Sequence, residues 1–157
     1  MDNFEKFYNR ALNSLSFRPR SEKELRDYLE KKKCDDLSIQ RIIENLKEHK
    51  FLNDEEFVAW WIEQRTIVKP KAARIIKFEL KQKGISKELI EEAFEKDLSS
   101  DLEKAKALIK KRIKRYQGVA DKKKIYEKLG RFLASKGFDY EIIKEVLDQV
   151  FTKEYNK

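Results

Sequence analysis

The sequence predicts an all-α protein, and three observations carry that reading. Glycine and proline are scarce, four and two among 157 residues, too few for the turns of a strand-rich chain. Apolar residues recur at three- and four-residue spacing along most of the length. Similar helix endings also recur about fifty residues apart: "DYLEKKKCD" at 27–35, "FELKQKGIS" at 78–86 and "RFLASKGFD" at 131–139.

Each helix has its own signals. Phe7, Ala11 and Leu15 mark the first. Ser21 and Glu24 have the spacing of a capping box, in which the serine accepts an orphan N–H and the glutamate reaches back. They open a second helix through Leu25, Tyr28 and Leu29, and Ile39, Ile42, Ile43 and Leu46 give a third. Phe57, Trp60, Trp61, Gln64 and Val68 predict one continuous fourth helix. Pro70 stands ahead of a fifth (Ile75, Ile76, Phe78, Leu80), where a missing N–H costs least. Gly84 ends it, and Leu89, Ile90, Ala93 and Phe94 form a sixth. Ser100 and Glu103 open a seventh that runs to Tyr116, with Gly118 beyond it. An eighth (Ile125, Leu129, Phe132, Leu133) ends at Gly137, and Ile142, Ile143, Val146, Leu147 and Val150 make the ninth. Gly130 lies inside the eighth pattern and is expected to mark a close helix contact.

These helices group in threes. Leu29, Leu80 and Leu133 occupy one column, Leu25, Ile76 and Leu129 another, and Lys33, Gly84 and Gly137 a third. The expected organisation is an elongated array of three tandem three-helix repeats, residues 1–53, 54–98 and 99–157. A three-helix unit of about fifty residues buries little alone, so stacking is the physical expectation.

Charged residues make up 42% of the chain, well above the usual ~25%, which places small cores under a heavily solvated surface. The formal charge is +8 and unevenly spread. From Asp101 to Gly137 there are thirteen Lys and Arg against four Asp and Glu, so the last repeat is the electropositive one. An anionic partner follows, nucleic acid or an acidic protein surface. Cys34 is the only cysteine and has no partner for an internal disulfide, so a reducing, cytoplasmic setting is expected. No apolar run approaches the ~20 residues of a membrane span.

Catalytic chemistry has little to stand on. His49 is the only histidine and reads as a helix-end surface residue; Cys34 reads as a half-exposed turn thiol. Phosphate-cradling glycine motifs are missing from the sequence. A non-enzyme without cofactor or metal is expected.

The basic residues are the candidate site. On a helical wheel Leu102, Ala105, Ile109, Ile113 and Tyr116 fall within roughly 80°. Lys104, Lys106, Lys110, Lys111, Lys114 and Arg115 lie on the other half as a rail for phosphate, which Lys122, Lys123 and Lys124 continue. A second cluster, Arg65, Lys69, Lys71, Arg74 and Lys77, surrounds Pro70; Arg18 and Arg20 flank Pro19 at the matching joint of the first repeat. A solvated lysine face is the plain alternative for each. Trp60 and Trp61 point about 100° apart, so one is expected to fill its own repeat and the other the joint to a neighbour.

Three stretches together resemble the RecX family, regulators of the bacterial RecA recombinase: "RPRSEKELRDYL" (18–29), "FLNDEEFVAWWIEQR" (51–65) and "KPKAARIIKFELKQKGI" (69–85). Arg18, Ser21, Glu24, Leu25, Asp54, Phe57, Arg65, Pro70, Glu79, Leu80, Lys83 and Gly84 match the family pattern; Lys71-Ala72-Ala73 departs from it where many relatives carry a glycine. The resemblance implies a curved three-repeat array that engages the RecA filament on DNA and restrains it, with weak DNA binding in some members; an open-ended array can work as a monomer, and a monomer is expected. Arg65 and Arg74 are then the residues expected to make contact. A general DNA-binding helical module with no dedicated recombinase partner is the other reading.

Overall fold

The structure is a computed structural model that describes residues 3–96 and 100–155, with side chains to residue 152. Among the described residues there are nine α-helices and no strand. They are α1 (Asn3–Phe17), α2 (Glu22–Lys31), α3 (Asp36–Glu48), α4 (Asp54–Glu63), α5 (Ala73–Gln82), α6 (Lys87–Lys96), α7 (Asp101–Arg112), α8 (Lys122–Ser135) and α9 (Tyr140–Tyr155). The 98/99 boundary expected between the second and third repeats lies outside the described residues.

Two helices expected to run on break their pitch instead. After α4 the backbone widens into a single π-turn, Gln64–Val68, and after α7 it tightens into a 3₁₀ turn, Ile113–Tyr116. Pro70 explains the first, because it denies the region a backbone donor and disfavours helix in the residue before it. In the second, Gly118 sits at φ +82° just past the tightened turn.

The three repeat columns are structural. Leu29, Leu80 and Leu133 are all fully buried, as are Ile76 and Leu129, with Leu25 at 1%. The ending column adopts the left-handed conformation in every copy: φ is +67° at Lys33, +78° at Gly84 and +92° at Gly137. Glycine takes this conformation freely, whereas a lysine with its Cβ is strained in it. Gly130 is not needed for contact, since a Cβ there would meet Leu147 at 3.7 Å and Ile143 at 3.9 Å, ordinary distances. Cys34 is not half-exposed but 6% exposed within the first core, and burial, then Asp35, pushes its thiol pKa up.

The chain divides into two compact units: Met1–Ile62 with Glu79–Lys96, and Glu63–Phe78 with Asp97–Lys157. In the first, Ala11, Leu25, Leu29, Ile39, Ile43 and Leu46 anchor a core. In the second, Ala105, Ile109, Leu129, Leu133, Val146 and Leu147 do so, joined by Ala72 from the residues ahead of α5. Helix α5 begins in one unit and ends in the other.

Inside each unit the same joint is built. In the first, the Asp54 carboxylate accepts the N–H of Glu22, the opening residue of α2, at 2.8 Å. In the second, the Asp101 carboxylate accepts the N–H of Ala73, the opening residue of α5, at 2.9 Å. Each aspartate heads the helix that follows the capped one by two, so a carboxylate at one helix start satisfies an orphan donor at another. The second residue of each capped helix then reaches a carbonyl at a helix end. Lys23 Nζ donates to Gln82 O at 3.3 Å, and Arg74 Nε donates to Gly137 O at 2.6 Å. A Cβ at Gly84 would lie 2.6 Å from Lys23 Cβ, and one at Gly137 2.2 Å from Ile75, so both glycines also permit close approach. Ala72 is fully buried and donates its N–H to Lys136 O at 3.0 Å.

Glu24 holds the first joint further. Its carboxylate accepts from Arg18 at 2.5 and 3.3 Å, from the Ser21 N–H at 3.2 Å and from Lys83 Nζ at 3.2 Å. Burial raises its pKa, but the hydrogen bonds from Arg18, Ser21 and Lys83 outweigh that and leave it below the ordinary value of 4.5. Stability from this group is therefore complete above pH ~4.5 and is lost as pH falls through the lowered value. In chemical denaturation followed by circular dichroism, Glu24→Gln is expected to lower stability at pH 7 and to flatten its loss toward pH 3. An unchanged pH profile would contradict the assignment. Lys33→Gly is expected to raise stability by about 0.5–1 kcal/mol, because the left-handed strain disappears; an unchanged or lower denaturation midpoint would show that no strain resides there.

Candidate nucleic-acid interface

The electropositive surface is built on α7, the 3₁₀ turn and α8, all in the second unit. Ser100 caps α7 by accepting the Glu103 N–H at 3.1 Å, and Asp121 caps α8 by accepting the Lys124 N–H at 3.1 Å. The apolar stripe docks as the wheel requires: Ala105 and Ile109 are fully buried, and Leu102, Ile113 and Tyr116 are half-buried. Lys106, Lys110, Lys111, Lys114 and Arg115 are exposed, as are Lys123 and Lys124; Lys122 is half-buried. No acidic residue occurs between Lys104 and Ala120.

Lys104 is the exception. It lies on the wheel opposite the apolar stripe, yet it is 5% exposed and does not join the basic face. Its ammonium donates to the Lys71 carbonyl at 3.0 Å and lies 3.3 Å from Asp101, the same carboxylate that caps α5. Residues just ahead of α5 therefore cover the side of α7 that a wheel assigns to water. A charge held in that way serves the joint and is not presented to a ligand.

The second basic cluster is mixed. Lys69, Arg74 and Lys77 are exposed, and Arg65 and Lys71 are half-buried. Arg74 spends its Nε on the Gly137 carbonyl, so part of its donor set fixes the joint. Around Pro19, Arg18 lies between Glu24 and the Trp60 ring, 5.2 Å from the ring centre, and Arg20 Nε donates to the Ser14 carbonyl at 3.2 Å. Burial, then the neighbouring Arg18, lowers the Arg20 pKa. Both arginines are built into the first unit.

Trp61 is buried and donates its indole N–H to Glu79 at 2.8 Å, with Lys83 5.4 Å from the centre of its ring. Trp60 is half-buried. Among the matched family-pattern residues, Arg18, Ser21, Glu24, Asp54, Glu79, Lys83 and Gly84 thus take part in capping and joining helices. What sequence reasoning missed is a hollow where α7 gives way to α8, because Ile113 and Tyr116 read there only as core. The tight turn before Gly118 was the available signal.

Among the described residues, no helix is long and apolar enough to cross a membrane, and no group of three His, Cys, Asp or Glu is placed to hold a metal ion.

Replacing Lys104 by Met is expected to destabilise the fold by about 1–3 kcal/mol, leaving the Lys71 carbonyl without its partner, while DNA affinity stays unchanged. Lys110→Met is expected to do the reverse. Urea denaturation and fluorescence anisotropy on labelled DNA distinguish the two; equal loss of DNA affinity in both variants would return Lys104 to the interface.

Comparison with known proteins agrees with this architecture. Residues 8–46, 53–93 and 99–147 match the descriptions "RecX, first three-helix domain", second and third respectively. A Streptococcus uberis protein named Regulatory protein RecX is 40% identical over 139 residues, covering 88% of this chain and 53% of its own length. One from Clostridium tetani with the same name is 39% identical over 153 residues, covering 95% of this chain and 69% of its own. The chain thus spans about half the length of the first relative and about two thirds of the second. The crystal structure of RecX from Lactobacillus salivarius aligns with a TM-score of 0.72 at 30% identity, over 95% of this chain and 97% of that one. With all three domain descriptions matched in order and the repeat joint built twice, the chain belongs to the RecX family, whose relatives carry the name of regulatory proteins.

Proposed function

We propose that the chain regulates the RecA recombinase, as an inhibitor that binds along the RecA–DNA filament and so modulates recombination and DNA repair. Membership of a regulatory family supports the role. The observation that carries the mode of action is the acid-free exposed face of Lys106, Lys110, Lys111, Lys114 and Arg115, continued by Lys123 and Lys124. A filament groove carries DNA phosphate and acidic protein surface, and a basic helical body lodged there competes with a second DNA strand. Lys69, Lys71, Lys77, Arg65 and Arg74 add a further basic segment to the same compact unit. The mechanism is steric and electrostatic, acts in the cytoplasm, and needs no cofactor and no bond-making step.

Titrating the protein into the single-stranded-DNA-dependent ATPase of the cognate RecA tests the reading. The rate is expected to fall at protein levels well below those of the recombinase. Charge reversal at Lys110, Lys111, Lys114 and Arg115 is expected to abolish the fall while leaving the helical circular dichroism intact, because all four side chains face water. An unaffected ATPase, with binding to bare duplex that weakens by a log–log slope near −0.9 per phosphate contact, would replace this reading with a general DNA-binding module.

A further inference from the structure

The exposed lysines explain attraction to phosphate but leave a cavity in their midst without a use. Between the end of α7 and the start of α8 the surface opens into a hollow of about 420 Å³. Its apolar lining comes from Ile113, Ile125 and Phe151, with the Tyr116 ring beside them. Lys114 and Lys122 also line it, and none of its lining residues is acidic. Ile125 is 7% and Phe151 8% exposed, so this lining belongs to the packed core of the unit, whereas Val119 is 47% exposed.

Three features narrow what fits. The volume lies within the range of small-molecule sites, so the hollow admits a flat ring system and not a helix. Its lining combines apolar side chains, two of them the Tyr116 and Phe151 rings, with the polar Lys114, Gln117 and Lys122, which suits a heterocycle that has an apolar face and polar edges. It also lies within the basic stretch: Lys110 and Lys111 precede its lining residues in the chain, and Arg115, Lys123 and Lys124 are interleaved with them. An aromatic-lined recess within a run of lysines matches a polyanion that carries flat apolar rings on its backbone. Duplex DNA keeps its bases stacked inside and cannot fill the recess; a single strand can turn one out. Stacking on aromatic side chains with electrostatic tracking of the backbone is how single strands are held without sequence readout.

We propose that this hollow receives one unstacked base of single-stranded DNA, with its flanking phosphates on Lys114 and Lys122. The inference rests on the reading that the lysine face takes DNA phosphate, and it assigns the third repeat to the single strand. A recombinase filament assembles on such a strand, so the hollow would act where that strand is accessible.

The test separates base from phosphate. Anisotropy is measured for the intact protein on a labelled oligothymidine and on an abasic oligonucleotide of equal length and phosphate charge. The wild type is expected to bind the thymidine strand about 10-fold tighter or better. Val119→Trp, which fills the mouth of the hollow and removes no charge, is expected to erase that difference and leave affinity for the abasic strand unchanged. Lys114→Ala with Lys122→Ala is expected to weaken both strands. Equal wild-type affinity for the two strands would overturn the base site and leave the phosphate reading standing. Binding to neither strand would overturn both. If Val119→Trp lowers the thermal midpoint, Val119→Phe is measured in its place; a preference for thymidine retained in a folded mouth-filling variant also overturns the proposal.

Discussion

The rest of the structure depends on a hydrogen bond between the start of one helix and the start of another. Asp54 and Asp101 each accept the first N–H of a helix from the neighbouring sequence repeat. A helix start carries orphan donors and a partial positive charge, so a carboxylate placed there satisfies a donor and opposes the dipole at once. Because the two halves of the bond come from successive repeats, the contact fixes register as well as stability. Lys104 shows how tightly the second joint is organised. Its ammonium would be costly in such a place, but Asp101 and the Lys71 carbonyl together hold it.

That constraint explains which parts of the fold were legible in the sequence. Leu25, Leu29, Ile76, Leu80, Leu129 and Leu133 were readable because burial of a helix face imposes its own period. Ser21 with Glu24 was readable because a capping box is local, complete within four residues, and the structure forms both of its bonds. Gly84 and Gly137 were readable as helix stops, but their second task, admitting Lys23 and Ile75, was not. That task depends on residues about sixty positions away, which no local pattern encodes.

The basic surface was legible to the same degree. The wheel separated Ala105 and Ile109 from Lys110, Lys111 and Lys114 correctly, because one core decides that face. It failed at Lys104 because a wheel represents one helix against one core, and the residues before α5 cover the other side. Arg18 and Arg20, read from their place beside Pro19, are half-buried and held by Glu24, the Trp60 ring and the Ser14 carbonyl, partners that the residues around a proline do not reveal. A positive residue near a proline is as readily a clamp on its own chain as a hand held out to a partner.

The division of the chain into compact units has a consequence for how the protein is made. The first unit needs Glu79–Lys96 as well as Met1–Ile62, and Glu24 finds one of its partners only in Lys83. A ribosome releasing this chain therefore cannot complete the first unit when the first repeat has emerged. It must extrude the sixteen residues from Glu63 to Phe78, which belong to the other unit, and then α6 before the earlier helices acquire their last contacts. The core from Ala11 to Leu52 is encoded wholly in what emerges first, whereas the joint around Glu24 waits for Lys83, so the middle of the sequence serves as the clasp for what was synthesised before it.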